Sequence, residues 1–317
     1  MILVVTLNPA LDVTHHVAGV DWAGVNRPLA VRARPGGKGA NVARTLLALH
    51  ADVLLVGMAG GLTGDAVRSA LAAAGVPADL TGISGETRRT FAVVDSERGE
   101  TALFNESGPQ VSAGEYQRFR ARYEQALAGC DAVVLSGSLP PGLPGDCYAE
   151  LACLAADAGL PALLDTDGRA LLSGAAGRPA LVKPNLGELE RAVGRRLRSG
   201  DGAGRLAVAA AARELMSAGA QAVVVTLGAQ GLLAVTDDGV WQGAPSGRRT
   251  GNPTGAGDSV LAGLAHGTVL GRPWPERLAH AVALGTAAVA APAAGEFSDA
   301  DYRRELATVR VSRREDL

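Results

Sequence analysis

Aromatic side chains are scarce: four Phe, three Trp and four Tyr make up 3% of 317 residues. Platforms on which bases or sugars could stack are therefore few. Cationic excess is missing too. Thirty Lys and Arg against 32 Asp and Glu leave a formal charge of −2, so the basic patch or stripe of a nucleic-acid-binding protein is not expected. The three cysteines, Cys130, Cys147 and Cys153, are an odd number without CxxC or Cys/His ligand spacing. That argues against a disulfide framework or a zinc site and for buried apolar roles. No apolar run approaches the roughly 20 residues that span a bilayer. Met1 leads straight into Ile2-Leu3-Val4-Val5-Thr6-Leu7 without a basic n-region. The expectation is a cytoplasmic protein with neither a membrane nor a nucleic-acid partner.

Two nucleotide signatures are also absent. Arg34-Pro35-Gly36-Gly37-Lys38-Gly39-Ala40-Asn41 is not a Walker A loop, because Gly39 stands where Ser or Thr should meet the magnesium. The first apolar run ends in Asn8-Pro9-Ala10-Leu11-Asp12 and not in a GxGxxG turn, which excludes an NAD-binding Rossmann unit there.

What is present alternates. Short apolar runs at Ile2–Leu7, Val53–Met58, Ala132–Ser136, Ala162–Asp165, Ala180–Lys183 and Ala222–Leu227 read as buried strands. Stretches with helical spacing lie between most of them: Gly39–His50, Gly64–Ala74, Ser112–Ala128 and Ala203–Ala218. This order predicts a mostly parallel sheet covered by helices on both faces, with ligands at the carboxyl ends of the strands. Two extended segments, about 12–34 and 88–105, break the rhythm. The second contains a hairpin around Asp95-Ser96-Glu97-Arg98-Gly99. Together they make either a covering lid over the strand ends or an edge ornament and dimer surface. Arg195-Arg196-Leu197-Arg198 reads as a solvated loop, and Arg303-Arg304 to Leu317 as a charged surface helix and tail.

Several motifs carry chemistry. In Asn252-Pro253-Thr254-Gly255-Ala256-Gly257-Asp258-Ser259 the glycines let a backbone approach an anion at the start of a helix. Asp258 there is either a helix cap or a base beside a phosphate cradle. The Gly36-Gly37-Lys38-Gly39 turn can hold phosphate or sugar hydroxyls through backbone N–H groups. Lys38 adds a point charge, and Asn41 an amide that both donates and accepts. Asp12 is either a turn residue or an acceptor for two vicinal hydroxyls. Arg88 and Arg89 are either an inert surface pair or a grip on phosphate. Asn185 and Glu188, three apart, fit both a capping box and a site for hydrated magnesium. The glycines of Thr226-Leu227-Gly228-Ala229-Gln230-Gly231 would let a nucleotide lie against the backbone.

Taken in order, these motifs together with Ser136-Gly137-Ser138-Leu139-Pro140 and Lys183-Pro184-Asn185 resemble the ribokinase-like PfkB carbohydrate kinases, in the branch acting on sugar phosphates. The resemblance covers essentially the whole chain and implies a three-layer α/β/α fold, 1–317, with a small inserted β-sheet lid. It implies ATP and Mg2+, and commonly a homodimer through the lid. By resemblance, Asp258 takes the proton of the acceptor hydroxyl, and Gly255, Ala256 and Gly257 form the anion hole. Asp12, Gly36, Gly37 and Asn41 bind the sugar side. Lys38, Arg88 and Ser138 surround the existing phosphate, with Arg27 joining from the lid. Glu188 and Asp165, with Asn185, organise magnesium through water. Lys183 lies near the ATP phosphates, and Thr226, Gly228 and Gly231 line the nucleotide.

At a positive helix end, Asp258 is expected to be ionised at neutral pH. Lys38 and the opening Thr-Leu-Asn-Pro fit 1-phosphofructokinase and tagatose-6-phosphate kinase equally. Asn252-Pro253 resembles the tagatose form, and Thr87-Arg88-Arg89-Thr90 lacks the Arg-Ile-Asn run of many 1-phosphofructokinases. Pro253 supplies no N–H, so the anion hole is expected to draw on Thr254 onward. The alternatives are a kinase for an unphosphorylated sugar or nucleoside and a non-catalytic sugar-phosphate sensor.

Overall fold

The computed structural model describes residues 1–197, 202–247, 249–291 and 293–317. Along the chain come β1 (Ile2–Thr6), β2 (Ala10–Val17), β3 (Ala30–Gly36), α1 (Lys38–Ala48), β4 (Val53–Ala59), α2 (Gly61–Ala73), β5 (Ala78–Gly82), β6 (Arg88–Asp95) and β7 (Glu100–Asn105). Next are α3 (Ala113–Leu127), β8 (Ala132–Ser136), α4 (Cys147–Asp157), β9 (Ala162–Asp165), α5 (Gly168–Ala175), β10 (Leu181–Val182) and α6 (Leu186–Val193). The remainder is α7 (Gly202–Ser217), β11 (Val223–Thr226), β12 (Leu232–Thr236), β13 (Gly239–Ala244), α8 (Ala256–Val269), α9 (Trp274–Ala290), α10 (Asp299–Leu306) and β14 (Arg310–Arg313).

A strand covered on both faces must be apolar at every position, and β1 shows this. Its Leu3 and Val5 join one core with Phe119 and Tyr123 of α3, Leu151 of α4 and Leu215 of α7. Its Ile2 and Val4 join the other with Leu46 of α1, Leu71 of α2, Leu264 of α8 and Leu278 of α9. The result is a three-layer α/β/α molecule. Its large sheet has the order β14-β13-β12-β11-β10-β9-β8-β1-β4-β5. Neighbours from β11 to β5 are parallel, so their carboxyl ends share one edge.

The two extended segments form a separate four-stranded sheet, β3-β2-β6-β7. Its strands begin at Ala10 and close at Gly36, slightly wider than the expected 12–34.

One expectation needs correction. The C-terminal tail is not simply a surface helix: after α10 the chain turns at Ala307–Thr308, and β14 pairs antiparallel with β13. Alternation explains it, because Val311 packs on the core while Arg310 and Ser312, on the opposite face, stay exposed. The described part of the basic run at 195 is the expected loop, with Arg195 and Arg196 exposed. Arg195 bonds Glu214 and Arg196 pairs with Glu190 at 3.3 Å, while Leu197 is buried; Arg198 lies outside the described residues. The three cysteines are free, with Cys130 and Cys147 buried and Cys153 half-buried. Among the described residues no helix is long and apolar enough to cross a membrane.

Candidate active site

At the shared edge, Gly255 is the N-cap of α8 with φ of 83°, and no side chain caps the helix. A Cβ on Gly255 would lie 2.6 Å from Ala294 Cβ, so the close approach requires glycine. Asp258 occupies the third helical position and is therefore not the cap. It is buried, and Asn41 Nδ2 donates to its Oδ2 at 2.7 Å. Burial, and then the charge of Asp165, push its carboxyl up to about 7, against the pull of Lys38, Asn41 and Lys183. This corrects the expectation of a plainly ionised Asp258. A helix end is worth at most about 2 kcal/mol to a carboxylate, whereas desolvating one costs several.

The backbone around Pro253 is also allocated differently from the sequence expectation. Thr254 N donates to Asn252 Oδ1 at 3.0 Å, and Ala256 N donates to Pro253 O at 3.2 Å. The N–H groups of Gly255, Gly257 and Asp258 make no backbone bond among the described residues. They are the donors left for an anion, and Thr254 is not among them.

Opposite stands a charge cluster. Lys38 opens α1, and its Nζ lies 2.8 Å from both Asp165 Oδ1 and Glu188 Oε1. Lys183 Nζ lies 3.0 Å from Asp165 Oδ2. Burial alone would lower the Lys38 ammonium, but Asp165, Glu188 and Asp258 hold it above its ordinary value. Burial alone would raise Asp165, but Lys183 and Lys38 hold it below the usual carboxylate range. Asn185 and Glu188 form the capping box, the first of their two sequence readings. Asn185 Oδ1 accepts from Glu188 N at 2.8 Å, and Glu188 Oε2 accepts from Asn185 N at 2.8 Å. Glu188 Oε1 remains turned to Lys38.

These groups line a cleft of about 710 Å³ that also takes in Ala256, Gly257 and Asp258. Thr226, Gly228 and Gly231 lie on its wall. A Cβ on Gly231 would fall 2.1 Å from Gly243 O, so that turn also requires glycine. The opposite wall was not anticipated: Arg249, Thr250, Thr286 and Val289 come from the chain before α8 and from α9. No local pattern marks them, because only the packing of α9 against α8 brings them in.

The residues expected to bind the sugar lie where β2, β3 and β6 meet the start of α1. Asp12 on β2 accepts from Thr90 Oγ1, and burial raises its pKa. A Cβ on Gly36 would lie 2.0 Å from the Asp12 carboxylate, so a side chain there would displace that carboxylate. Gly37 is the N-cap of α1, with φ of 93°. Arg88 donates to Asn8 O at 3.1 Å and to Glu106 O at 3.2 Å. Asn8 donates to Ser138 Oγ at 3.1 Å and to Ser107 O at 2.9 Å, tying Ser138 to the same junction. Asn8 had been read only as the end of a strand. Lys38 sits with Asp165 and Glu188 in the cleft, whereas Arg88 and Ser138 meet at Asn8. Arg27 is exposed in the segment between β2 and β3, with no hydrogen bond to these groups.

Residues 6–301 match the model of the pfkB family carbohydrate kinases. Phosphofructokinase-2 from Escherichia coli, in a tetrameric inhibited form, is similar at 31% identity with a TM-score of 0.88. The alignment covers 96% of this chain and 98% of that one. A possible 1-phosphofructokinase from Thermotoga maritima is 27% identical with a TM-score of 0.87, covering 99% of this chain and 100% of that one. A putative phosphofructokinase from Staphylococcus aureus is 26% identical with a TM-score of 0.80, covering 98% of each. The chain belongs to the pfkB family of carbohydrate kinases.

Proposed function

We propose that this sugar kinase transfers the γ-phosphoryl group of ATP to a ketohexose phosphate, giving a bisphosphate, as a tagatose-6-phosphate kinase or 1-phosphofructokinase does. One observation carries the reading: Asp258 is buried on the wall of a nucleotide-sized cleft, accepts from Asn41, and stands beside backbone N–H groups that make no backbone bond among the described residues. The acceptor hydroxyl gives its proton to Asp258 as its oxygen bonds to phosphorus and the bond to the departing ADP breaks. The N–H groups of Gly255 and Gly257, with Lys183 nearby, offset charge on the transferring group. A Cβ on Gly257 would lie 3.7 Å from Lys183 Nζ, so that glycine faces the cation. Asp12 and the backbone at Gly36 and Gly37 orient the sugar, and Arg88 and Ser138 bind its phosphate. Thr226, Gly228 and Gly231 hold the nucleotide.

A role for Asp165 and Glu188 toward Mg2+ is supported only through its waters. Both bring hard oxygens to the cleft, but these are engaged by Lys38, Lys183 and Asn185 N. No cluster of three or more ligating side chains occurs among the described residues. One or two carboxylates, completed by water and substrate phosphates, is how Mg2+ is usually held. When bound it supplies charge neutralisation between the ATP phosphates. Free thiols and dependence on ATP support action in the cytoplasm. The large apolar side chains exposed along the small sheet support its service as a lid and homodimer contact.

A coupled assay for ADP release tests the substrate. Fructose 1-phosphate, tagatose 6-phosphate and fructose 6-phosphate are compared, with fructose and ribose as controls. At least one phosphorylated ketohexose is expected to exceed both controls by 100-fold or more in kcat/KM, on the order of 3 kcal/mol. Equal or better turnover of the unphosphorylated sugars would overturn the reading. That outcome has one observation in its favour, since Lys38 is already engaged by two carboxylates.

A further inference from the structure

Arg44 follows Asn41 by three residues and shares its face of α1. It is half-buried and forms no ion pair among the described residues. Its guanidinium is spent on neutral oxygens: Asn41 Oδ1 at 2.7 Å, Ala294 O, and Pro35 O at 3.3 Å. Burial lowers its pKa, so this placement is costly for stability. The acceptors explain why a cation stands there. A side-chain amide has two nearly isosteric orientations, but a guanidinium has no acceptor, so only Oδ1 of Asn41 can face it. Nδ2 is thereby turned to Asp258, where it donates at 2.7 Å. The second acceptor belongs to a loop seated on α1: a Cβ on Gly295 would lie 2.9 Å from Asn41 Cα and 3.1 Å from Arg44 Nε. That loop is also the surface against which Gly255 closes, with Ala294 Cβ 2.6 Å from the position a Gly255 Cβ would take.

We propose that Arg44 is a positioning residue for phosphoryl transfer. Through Asn41 it fixes the donor that holds the Asp258 carboxylate, and through Ala294 it fixes the loop that seats the anion-binding turn at Gly255. The inference rests on the kinase reading for its catalytic consequence, but not for its effect on Asp258. Without Arg44 the Asn41 amide can flip and present Oδ1 to the carboxylate, which disfavours the ionised form. The other charged groups facing Asp258 are Lys38 from α1, Asp165 from β9 and Lys183 beyond β10. None of them contacts Arg44.

Arg44→Gln can accept as well as donate, so it no longer selects Oδ1 of Asn41. The test compares wild type, Arg44→Gln, Asn41→Ala and the double variant. Asp258 titration is followed by carbon-13 NMR of the aspartate carboxyls in the free protein, with Asp258→Asn for assignment, and kcat is measured beside it. In Arg44→Gln the Asp258 midpoint should move to higher pH. Its kcat should fall roughly 10- to 100-fold, with the KM for ATP within about threefold. In the Asn41→Ala background only the lost charge of Arg44 remains, so the same substitution should move the midpoint by less than about half as much and change kcat by less than about threefold. An unmoved midpoint in Arg44→Gln, or equal shifts in both backgrounds, would overturn the inference. If Arg44→Gln does not fold, Arg44→Met replaces it, and failure of both to fold would show a structural role instead. Should wild type phosphorylate no acceptor, the kinase reading fails, while the Asp258 midpoint still decides this one.

Discussion

Asp258 sets stability against turnover. An aspartate in an unfolded chain titrates near 3.9, whereas burial and Asp165 push this one up to about 7. Between those values the folded state binds the extra proton. Its contribution to stability is therefore complete below the unfolded value and lost as pH rises through 7. Asp258→Asn removes that loss and keeps an acceptor for Asn41. At pH 8 the variant should be more stable than wild type by on the order of 1–3 kcal/mol. The gain should vanish near pH 4, and kcat should fall by roughly 10²–10⁴ while sugar-phosphate binding is nearly retained. Thermal unfolding at the two pH values and steady-state kinetics check this; a lower Tm at pH 8 would refute the account. In wild type, kcat/KM should rise with pH through an acid limb near 7, because the base must be ionised. The sequence shows a carboxylate among glycines at a helix start. It does not show how dry the place is, because the groups around it come from α1, from β9 and from Lys183 after β10.

At the scale of elements, legibility follows range. β8 and β9 stand where their apolar runs predict, at Ala132–Ser136 and Ala162–Asp165, since strands buried on both faces need no distant information. The antiparallel edge β12-β13-β14 is less legible: β12 is a five-residue apolar run that periodicity alone does not tell from a buried helix segment, and β14 carries a single apolar residue in four. The α8, α9 and α10 joint was equally invisible, yet it holds a buried polar chain. His266 Nδ1 lies 3.2 Å from His280 Nε2, and His280 Nδ1 lies 2.7 Å from Tyr302 Oη. Burial, then Arg272 and His266, lower His280 to about 3; burial and Arg272 lower His266. A depressed histidine contributes stability above its unfolded value near 6.5 and loses it as pH falls toward the folded value. From pH 7 to pH 5 wild type should lose about 2 kcal/mol through His280. His280→Gln keeps a hydrogen-bonding side chain and removes the titration, so its urea midpoint should depend less on pH over that interval. An equal dependence in both proteins would assign the acid sensitivity elsewhere.

For the whole molecule, the small sheet poses the remaining problem. Trp22, Val25 and Leu29 in the segment between β2 and β3 are 69%, 81% and 73% exposed, and Leu103 and Phe104 on β7 are more than half exposed. Scattered apolar residues are ordinary, but contiguous ones on a monomer commonly mark an interface. That these residues belong to one small sheet and its β2–β3 connection was not readable from the sequence, since it depends on β2 pairing with β6 across about 70 residues of chain. If two copies cover these residues together, light scattering should give twice 32.0 kDa, or 64 kDa. Val25→Asp with Leu29→Asp buries like charges at the contact and should give a monomer. Arg27 lies between the two substituted positions, so a site completed by the partner should lose acceptor affinity with the dimer. KM for the sugar phosphate should rise at least about tenfold, or 1.4 kcal/mol, while KM for ATP stays within about twofold because the cleft lies on the large sheet. A monomeric wild type, or a monomeric variant with unchanged KM for the acceptor, would separate the small sheet from substrate binding and leave it as a cover acting within one chain.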